Sequence, residues 1–246
     1  MPGHPEVIAH RGTPREHPEN SLPGFAHALA LGADALELDV HVSADGVPVV
    51  HHDAELHGGS LDGRAIAGLP SAAVLGHELA AGVRVPTLAE VLRLADGRAT
   101  VYVEVKARDG EAHVAAVVAP YGAAAPVHSF DHRIPRAVAA RAPGVPCGIL
   151  SASYLVDTVA ALRAAGARDL WQHWSMVDAA LVGAVHAAGG RVIVWTANEA
   201  ATIAACAELG VDGICSDLPQ RVAEVLAGHR ATTGGGPAPT MRQPRA

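Results

Sequence analysis

The sequence predicts an α/β protein, a single closed (β/α)8 barrel, on three observations. Short apolar runs recur along the chain and alternate with Ala-rich segments of helical character, the pattern of parallel strands joined by helices. Several runs end in acids, bases or cations, where buried strands would emerge and where function collects in parallel α/β folds. The 246 residues match the size of one barrel, about 250 residues, and 50% hydrophobic residues suffice to fill its core.

In chain order, barrel strands are expected to begin near Val7, Ala35, Thr100, Pro126, Pro146, Asp169, Arg191 and Asp212. The run Val47–Val50 is left out of this count. It lies too close to Asp39 for a parallel crossover, which needs about a dozen residues, and Asp45-Gly46 is a hairpin signal. Residues 40–51 therefore read as a hairpin excursion at the C-terminal mouth that returns His52 to the level of Asp39. Asn20-Ser21 caps a helix ending near Gly32, and Thr87-Leu88-Ala89-Glu90 reads as a capping box. Further helices are expected near 111–119, 132–141, 154–165, 177–188, 199–208 and 219–227. The Gly/Ala-rich segment from Ala54 to Val85 predicts a short cap over an open site. One domain over 1–227 is followed by a tail, 228–246, whose Gly234-Gly235-Gly236-Pro237 reads as disordered.

Composition excludes several function classes. A net charge of -7 with no Lys/Arg block argues against a nucleic-acid footprint or a polybasic membrane patch. No apolar run is long enough to span a bilayer. Cys147, Cys206 and Cys215 are odd in number and lack a C-x-x-C pattern, so buried reduced thiols are expected. Residues 1–6 carry no basic and apolar leader pattern, and a cytoplasmic location is the expectation. No feature of the sequence speaks to oligomeric state.

The strand ends carry the chemistry: His10-Arg11-Gly12, Glu37-Leu38-Asp39, His51-His52-Asp53 and Glu104-Val105-Lys106. Residues i and i+2 of a strand share a face, so Glu37 projects with Asp39 and Glu104 with Lys106, the only lysine in the chain. Three inward acids at one barrel mouth repel one another unless a cation offsets them. An all-carboxylate set of Glu37, Asp39 and Glu104 suits one Mg²⁺ or Ca²⁺, and no His/Cys cluster of zinc spacing accompanies it. His10 and His52 are the candidates for proton transfer, their order of action left open. Alternation sends His51 to the opposite face. Arg11 and Lys106 are the natural partners of a phosphate, with pairing to an acid as the alternative.

Taken together, Ile8-Ala9-His10-Arg11-Gly12, Pro18-Glu19-Asn20-Ser21, Glu37-Leu38-Asp39-Val40, Asp45 through Asp53, Pro86-Thr87-Leu88, Glu104-Val105-Lys106, Ser129-Phe130, Trp195-Thr196 and Asp217 form an ordered series. It resembles the glycerophosphodiester phosphodiesterases. The resemblance implies a TIM-type barrel, a bound divalent cation, and hydrolysis of a glycerophosphodiester to glycerol 3-phosphate and an alcohol, through a cyclic phosphate or by direct attack of water. The short cap segment leaves room for a small head group or a lysophospholipid. It implies a place in lipid and glycerol metabolism. By resemblance Trp195 lines the substrate pocket; an ordinary core aromatic at a strand end is the alternative. Where the family commonly carries an Arg-Thr-rich stretch, this chain has Leu56-His57-Gly58-Gly59-Ser60. Two other classes compete: a lyase of the phospholipase D toxin type, whose product stays cyclic, and a barrel that binds phosphorylated glycerols without turnover.

Overall fold

The computed structural model describes residues 4–233. β1 (Glu6–His10) ends in a turn through Arg11 and Gly12, both at positive φ (53° and 85°), that leads towards α1 (Leu22–Ala30). A Cβ on Gly12 would stand 2.8 Å from the carbonyl carbon of Gly24, so only glycine lets the strand end pack on the first turn of α1. Ser21 caps that helix, its Oγ accepting from the Gly24 amide.

β2 (Ala35–Val42) outruns the barrel, turns at Ser43–Gly46 and returns as the antiparallel β3 (Pro48–Val50), with His41 opposite Val49. The His51 amide donates to the Asp39 carbonyl at 3.0 Å, which brings His52 back to the level of Asp39 as the hairpin reading expects. The cap follows. β4 (Glu55–Leu56) pairs with β5 (Arg64–Ala65), α2 (Ser71–Leu75) crosses, and β6 (Glu78–Ala80) pairs with β7 (Val83–Arg84). Leu56, Ile66, Leu69, Val74 and Val85 bury against Val49, so the cap has an apolar centre anchored on the hairpin. Each such side chain contributes about 1.5–3 kcal/mol when fully buried.

Strands and helices then alternate: α3 (Leu88–Ala95), β8 (Thr100–Val105), α4 (Glu111–Val118), β9 (Val127–Ser129), α5 (Arg133–Arg141), β10 (Cys147–Ser151), α6 (Thr158–Ala165), β11 (Asp169–His173), α7 (Ala179–Ala187), β12 (Arg191–Trp195), α8 (Ala200–Glu208), β13 (Gly213–Ser216) and α9 (Pro219–Thr233). The capping box at Thr87 and Glu90 is complete. α6 starts four residues later than the sequence pattern, because the Asp157 carboxylate accepts from the Ala160 amide at 2.8 Å and caps the helix there. α9 runs to Thr233, so residues 228–233, expected in the tail, are helical; the remainder of that expectation, 234–246, lies outside the described residues.

The sheet order β1-β13-β12-β11-β10-β9-β8-β2, closed by pairing of β1 with β2, makes an eight-stranded parallel barrel, with β3 attached to β2. Ile8, Ala35, Tyr102, Leu150, Trp171, Ile193 and Cys215 fill its interior. Two larger clusters pack the outward strand faces against the helices. At the N-terminal end, Glu6, Tyr102 and Arg191 close the floor: Tyr102 Oη donates to Glu6 at 2.7 Å, and Arg191 reaches Glu6 at 2.6 Å and Tyr102 at 3.0 Å. All three cysteines are free and buried. Among the described residues, no helix is long and apolar enough to cross a membrane.

Candidate active site

Strand register assembles the C-terminal mouth. His10 is level with Glu37 across β1 and β2, Asp39 with Glu104 across β2 and β8, and Glu104 with His128 across β8 and β9. Neighbouring strands lie about 4.8 Å apart, so these side chains must meet. His10, Glu37, Glu104 and His128 line a cavity of about 160 Å³ together with Arg11, His52, Lys106, Phe130, Trp171 and Trp195, with Asp39 buried behind Lys106 and Arg11. One wall is charged and the other aromatic.

Each candidate histidine is held by an aspartate through Nδ1. His10 Nδ1 lies 2.7 Å from Asp217 Oδ1, and His52 Nδ1 lies 2.8 Å from Asp53 Oδ1. An ionised carboxylate only accepts, so Nδ1 carries the proton in both rings and Nε2 is left for chemistry. Asn198 fixes Asp217 in turn, donating from Nδ2 to Oδ2 at 2.8 Å and accepting the Asp217 amide at 2.9 Å. Burial raises the Asp217 carboxyl, but the hydrogen bond and charge of His10 outweigh it and hold the group below its ordinary range. The His10 bond lowers Asp217 as the His52 bond lowers Asp53. His41 supports the site by bonding the His52 carbonyl through Nε2 at 3.0 Å. His51 turns away and bonds the Asp53 carbonyl. Asp53 also meets His57 Nε2 at 2.9 Å, so the segment that departs from the family pattern still touches the site.

The acids and cations form one knot. Lys106 Nζ sits 2.9 Å from Asp39 Oδ1 and 2.7 Å from Glu104 Oε1, while Arg11 Nε lies 3.0 Å from Asp39 Oδ2. Asn20, itself at positive φ, donates to Asp39 at 2.8 Å. Burial would raise the Asp39 carboxyl, but Lys106 and Arg11 outweigh it and hold it below the usual carboxylate range. Glu37 and Glu104 go the other way. Burial, then the charge of Asp39, pushes Glu104 up to about 7; burial, Asp39 and Glu104 raise Glu37 well above its ordinary value. Against three carboxylates the knot sets two permanent cations, and the excess negative charge falls on Glu37 and Glu104.

That excess fits a divalent cation. Glu37, Glu104 and His128 each offer one ligand atom within 4.8 Å of the others. Lys106, lodged between Asp39 and Glu104, already demonstrates that the wall accepts positive charge. The structure brings Glu37, Asp39 and Glu104 together, with Arg11 and Lys106 facing them. Among the described residues, however, the group of metal-ligand spacing is Glu37, Glu104 and His128, while the Asp39 oxygens are taken up by Lys106, Arg11 and Asn20. The sequence carried no signal for His128, which lies on β9 without a charged neighbour in the chain. Trp195 lines the pocket, edge-on to Phe130 at 5.4 Å and to His173 at 5.2 Å.

An anionic ester entering this cleft would meet guanidinium, ammonium and two oriented imidazoles at once, so fold and site define a barrel hydrolase for phosphate esters. The model of the glycerophosphoryl diester phosphodiesterase family matches residues 10–221, and the chain belongs to that family. A glycerophosphodiester phosphodiesterase of Caldanaerobacter subterraneus subsp. tengcongensis is 29% identical over 238 residues, covering 89% of this chain and 97% of its own. The crystal structure of a family member from Silicibacter pomeroyi superposes with a TM-score of 0.83 at 29% identity, covering 93% of this chain and 95% of that one. A phosphodiesterase of Oleispira antarctica, solved in complex with the product sn-glycerol-3-phosphate, gives 0.83 at 25% identity over 91% of this chain and 97% of its own. The chain is therefore an enzyme of the glycerophosphodiester phosphodiesterase class.

Proposed function

We propose that the protein hydrolyses glycerophosphodiesters to glycerol 3-phosphate and an alcohol, using His10 and His52 for proton transfer and one Mg²⁺ or Ca²⁺ held by Glu37, Asp39 and Glu104. The observation that carries this reading is the pairing of two aspartate-held imidazoles with the knot of acids and cations across one small cavity. When bound, the cation supplies charge neutralisation at the phosphate oxygens and makes a nearby hydroxyl more acidic. Arg11 and Lys106 turn from Asp39 to grip the phosphate, the guanidinium on two oxygens and the ammonium as a point charge. One histidine takes the proton of the glycerol 2-hydroxyl as its oxygen bonds to phosphorus. The other gives its proton to the alcohol oxygen as the phosphorus–oxygen bond breaks. Water then opens the cyclic phosphate with the roles reversed.

The aromatic wall speaks to the glycerol side of the substrate, where a lysophospholipid carries its acyl chain. Among the described residues, five of the seven exposed large apolar side chains, Phe130, Tyr154, Val156, Trp174 and Met176, follow the C-terminal ends of β9, β10 and β11. Apolar surface gathered beside a site favours a substrate with an apolar portion, such as a lysophospholipid. Phe130→Ser is expected to raise KM for lysophosphatidylcholine and leave glycerophosphocholine turnover unchanged; an equal effect on both would assign Phe130 to packing alone. The three buried free thiols suit a reducing compartment, consistent with a cytoplasmic enzyme of lipid or glycerol metabolism.

Release of glycerol 3-phosphate from glycerophosphocholine tests the reading, with Mg²⁺, with Ca²⁺ and after EDTA. His10→Ala and His52→Ala should each lower kcat by roughly 10²- to 10⁴-fold while melting like the parent. Full turnover after EDTA would remove the cation, and an unchanged rate in either variant would remove that histidine. Phosphorus NMR adds the route: a transient cyclic phosphate supports attack by the 2-hydroxyl, its absence direct attack by water, and its persistence a lyase.

A further inference from the structure

We infer that His128 is a nitrogen donor to the divalent cation, which makes the centre a mixed carboxylate and imidazole site rather than the all-oxygen set expected from the sequence. The inference rests on the proposal that a cation binds at Glu37 and Glu104.

His128 is 1% exposed, and its Nδ1 has no hydrogen-bond partner. Its Nε2 points at Glu37 Oε1 from 3.8 Å, too far for a hydrogen bond, and no side chain closes the gap. A buried imidazole nitrogen without a partner is costly in a folded protein, and the other nitrogen, Nε2, faces the cavity. The ring is nevertheless fixed: it stacks on Trp171 with centroids 4.1 Å apart and planes within 4°, and Tyr102 meets it edge-on at 6.4 Å. A core histidine with no polar task would be expected to turn a nitrogen towards an available carbonyl. This one is clamped with its ring edge beside two carboxylates whose charge is only partly offset. A cation there would take the Nε2 lone pair and offset the charge of both acids together, with Trp171 setting the direction of that lone pair.

An imidazole donor changes which metal the site prefers. Oxygen-only sets suit Mg²⁺ and Ca²⁺, whereas a nitrogen ligand adds affinity along the first-row series, so Mn²⁺ should bind more tightly than Mg²⁺. The test is binding of Mn²⁺ to the EDTA-stripped full chain, read by calorimetry and by pulsed EPR for nitrogen-14 coupling. Wild type should show a directly coordinated nitrogen. His128→Gln should lose that coupling, weaken Mn²⁺ by about 10- to 100-fold and weaken Mg²⁺ less. His10 Nε2 also lies 4.0 Å from Glu37, so His10→Ala is the control for the other nearby imidazole and should keep the coupling. Melting of the stripped variants reads folding separately from metal.

Mn²⁺ bound by wild type without nitrogen coupling, or coupling that survives His128→Gln, would overturn the role of His128 and leave the carboxylate site standing. No Mn²⁺ binding by wild type would overturn the cation site itself, and His128 with it.

Discussion

At the scale of single residues, function and instability share the same groups. Glu104 has a carboxyl at about 7 in the folded chain, against an ordinary value of 4.5. A carboxyl raised on folding holds its proton more tightly in the native state. Its contribution to stability is therefore complete below about pH 4.5 and is lost as the pH climbs to about 7. Glu37, also raised, acts in the same direction, and Asp39, lowered by its two cations, in the opposite one. A difference between two proteins isolates Glu104. In EDTA, the melting temperature of wild type minus that of Glu104→Gln should turn more negative between about pH 5 and pH 8, and Mg²⁺ should reverse it at the upper end. A difference independent of pH would show that Lys106 fully compensates the charge. His10, Glu37, Asp39 and Glu104 were legible in the sequence because each closes an apolar run. His128 was not: a histidine between Val127 and Ser129 carries no local mark, and only its level with Glu104 across β8 and β9 gives it a role.

At the scale of elements, the excursion and cap decide how the mouth is covered. Alternation and Asp45-Gly46 were enough to expect the hairpin, since too few residues separate Asp39 from Val47 for a crossover. The cap was seen only as a short Gly/Ala-rich stretch. Its centre is built from Leu56, Ile66, Leu69, Val74 and Val85, one apolar residue at a time from separate turns, so no window of sequence shows a periodic face. Because this cluster is separate from the barrel core, Leu56→Ala should cost about 2–5 kcal/mol locally. Hydrogen exchange should quicken across residues 54–85 and raise KM, with protection in β8 to β13 retained. Loss of protection in the barrel strands at the same time would mean that cap and barrel unfold as one unit.

At the scale of the whole molecule, a barrel separates the stability of its floor from the chemistry of its mouth. Arg191 sits at the start of β12, far along the strand from Trp195, and ties Glu6 to Tyr102 under the core. Arg191→Leu leaves the Glu6 carboxylate and the Tyr102 hydroxyl short of a partner and should cost roughly 1–3 kcal/mol. The variant should melt earlier yet turn over at the parental kcat below its transition. A fall in kcat would show that the floor transmits to the site through the strands.

The sequence by itself determined the barrel, its eight strands and the residues at their ends, because strand and helix periods, turn residues and charge placement are local properties of a chain. It also determined that acids, imidazoles and cations would meet, since i and i+2 positions of a strand have no choice of face. Only the tertiary structure decided which of them touch. Whether Lys106 reaches Asp39 or Glu104, which aspartate holds which histidine, and whether His128 faces the acids depend on register between strands far apart in sequence. Register is set by closure of the whole sheet and by how Trp171 and its neighbours fill the interior, and no segment of the chain carries that information alone.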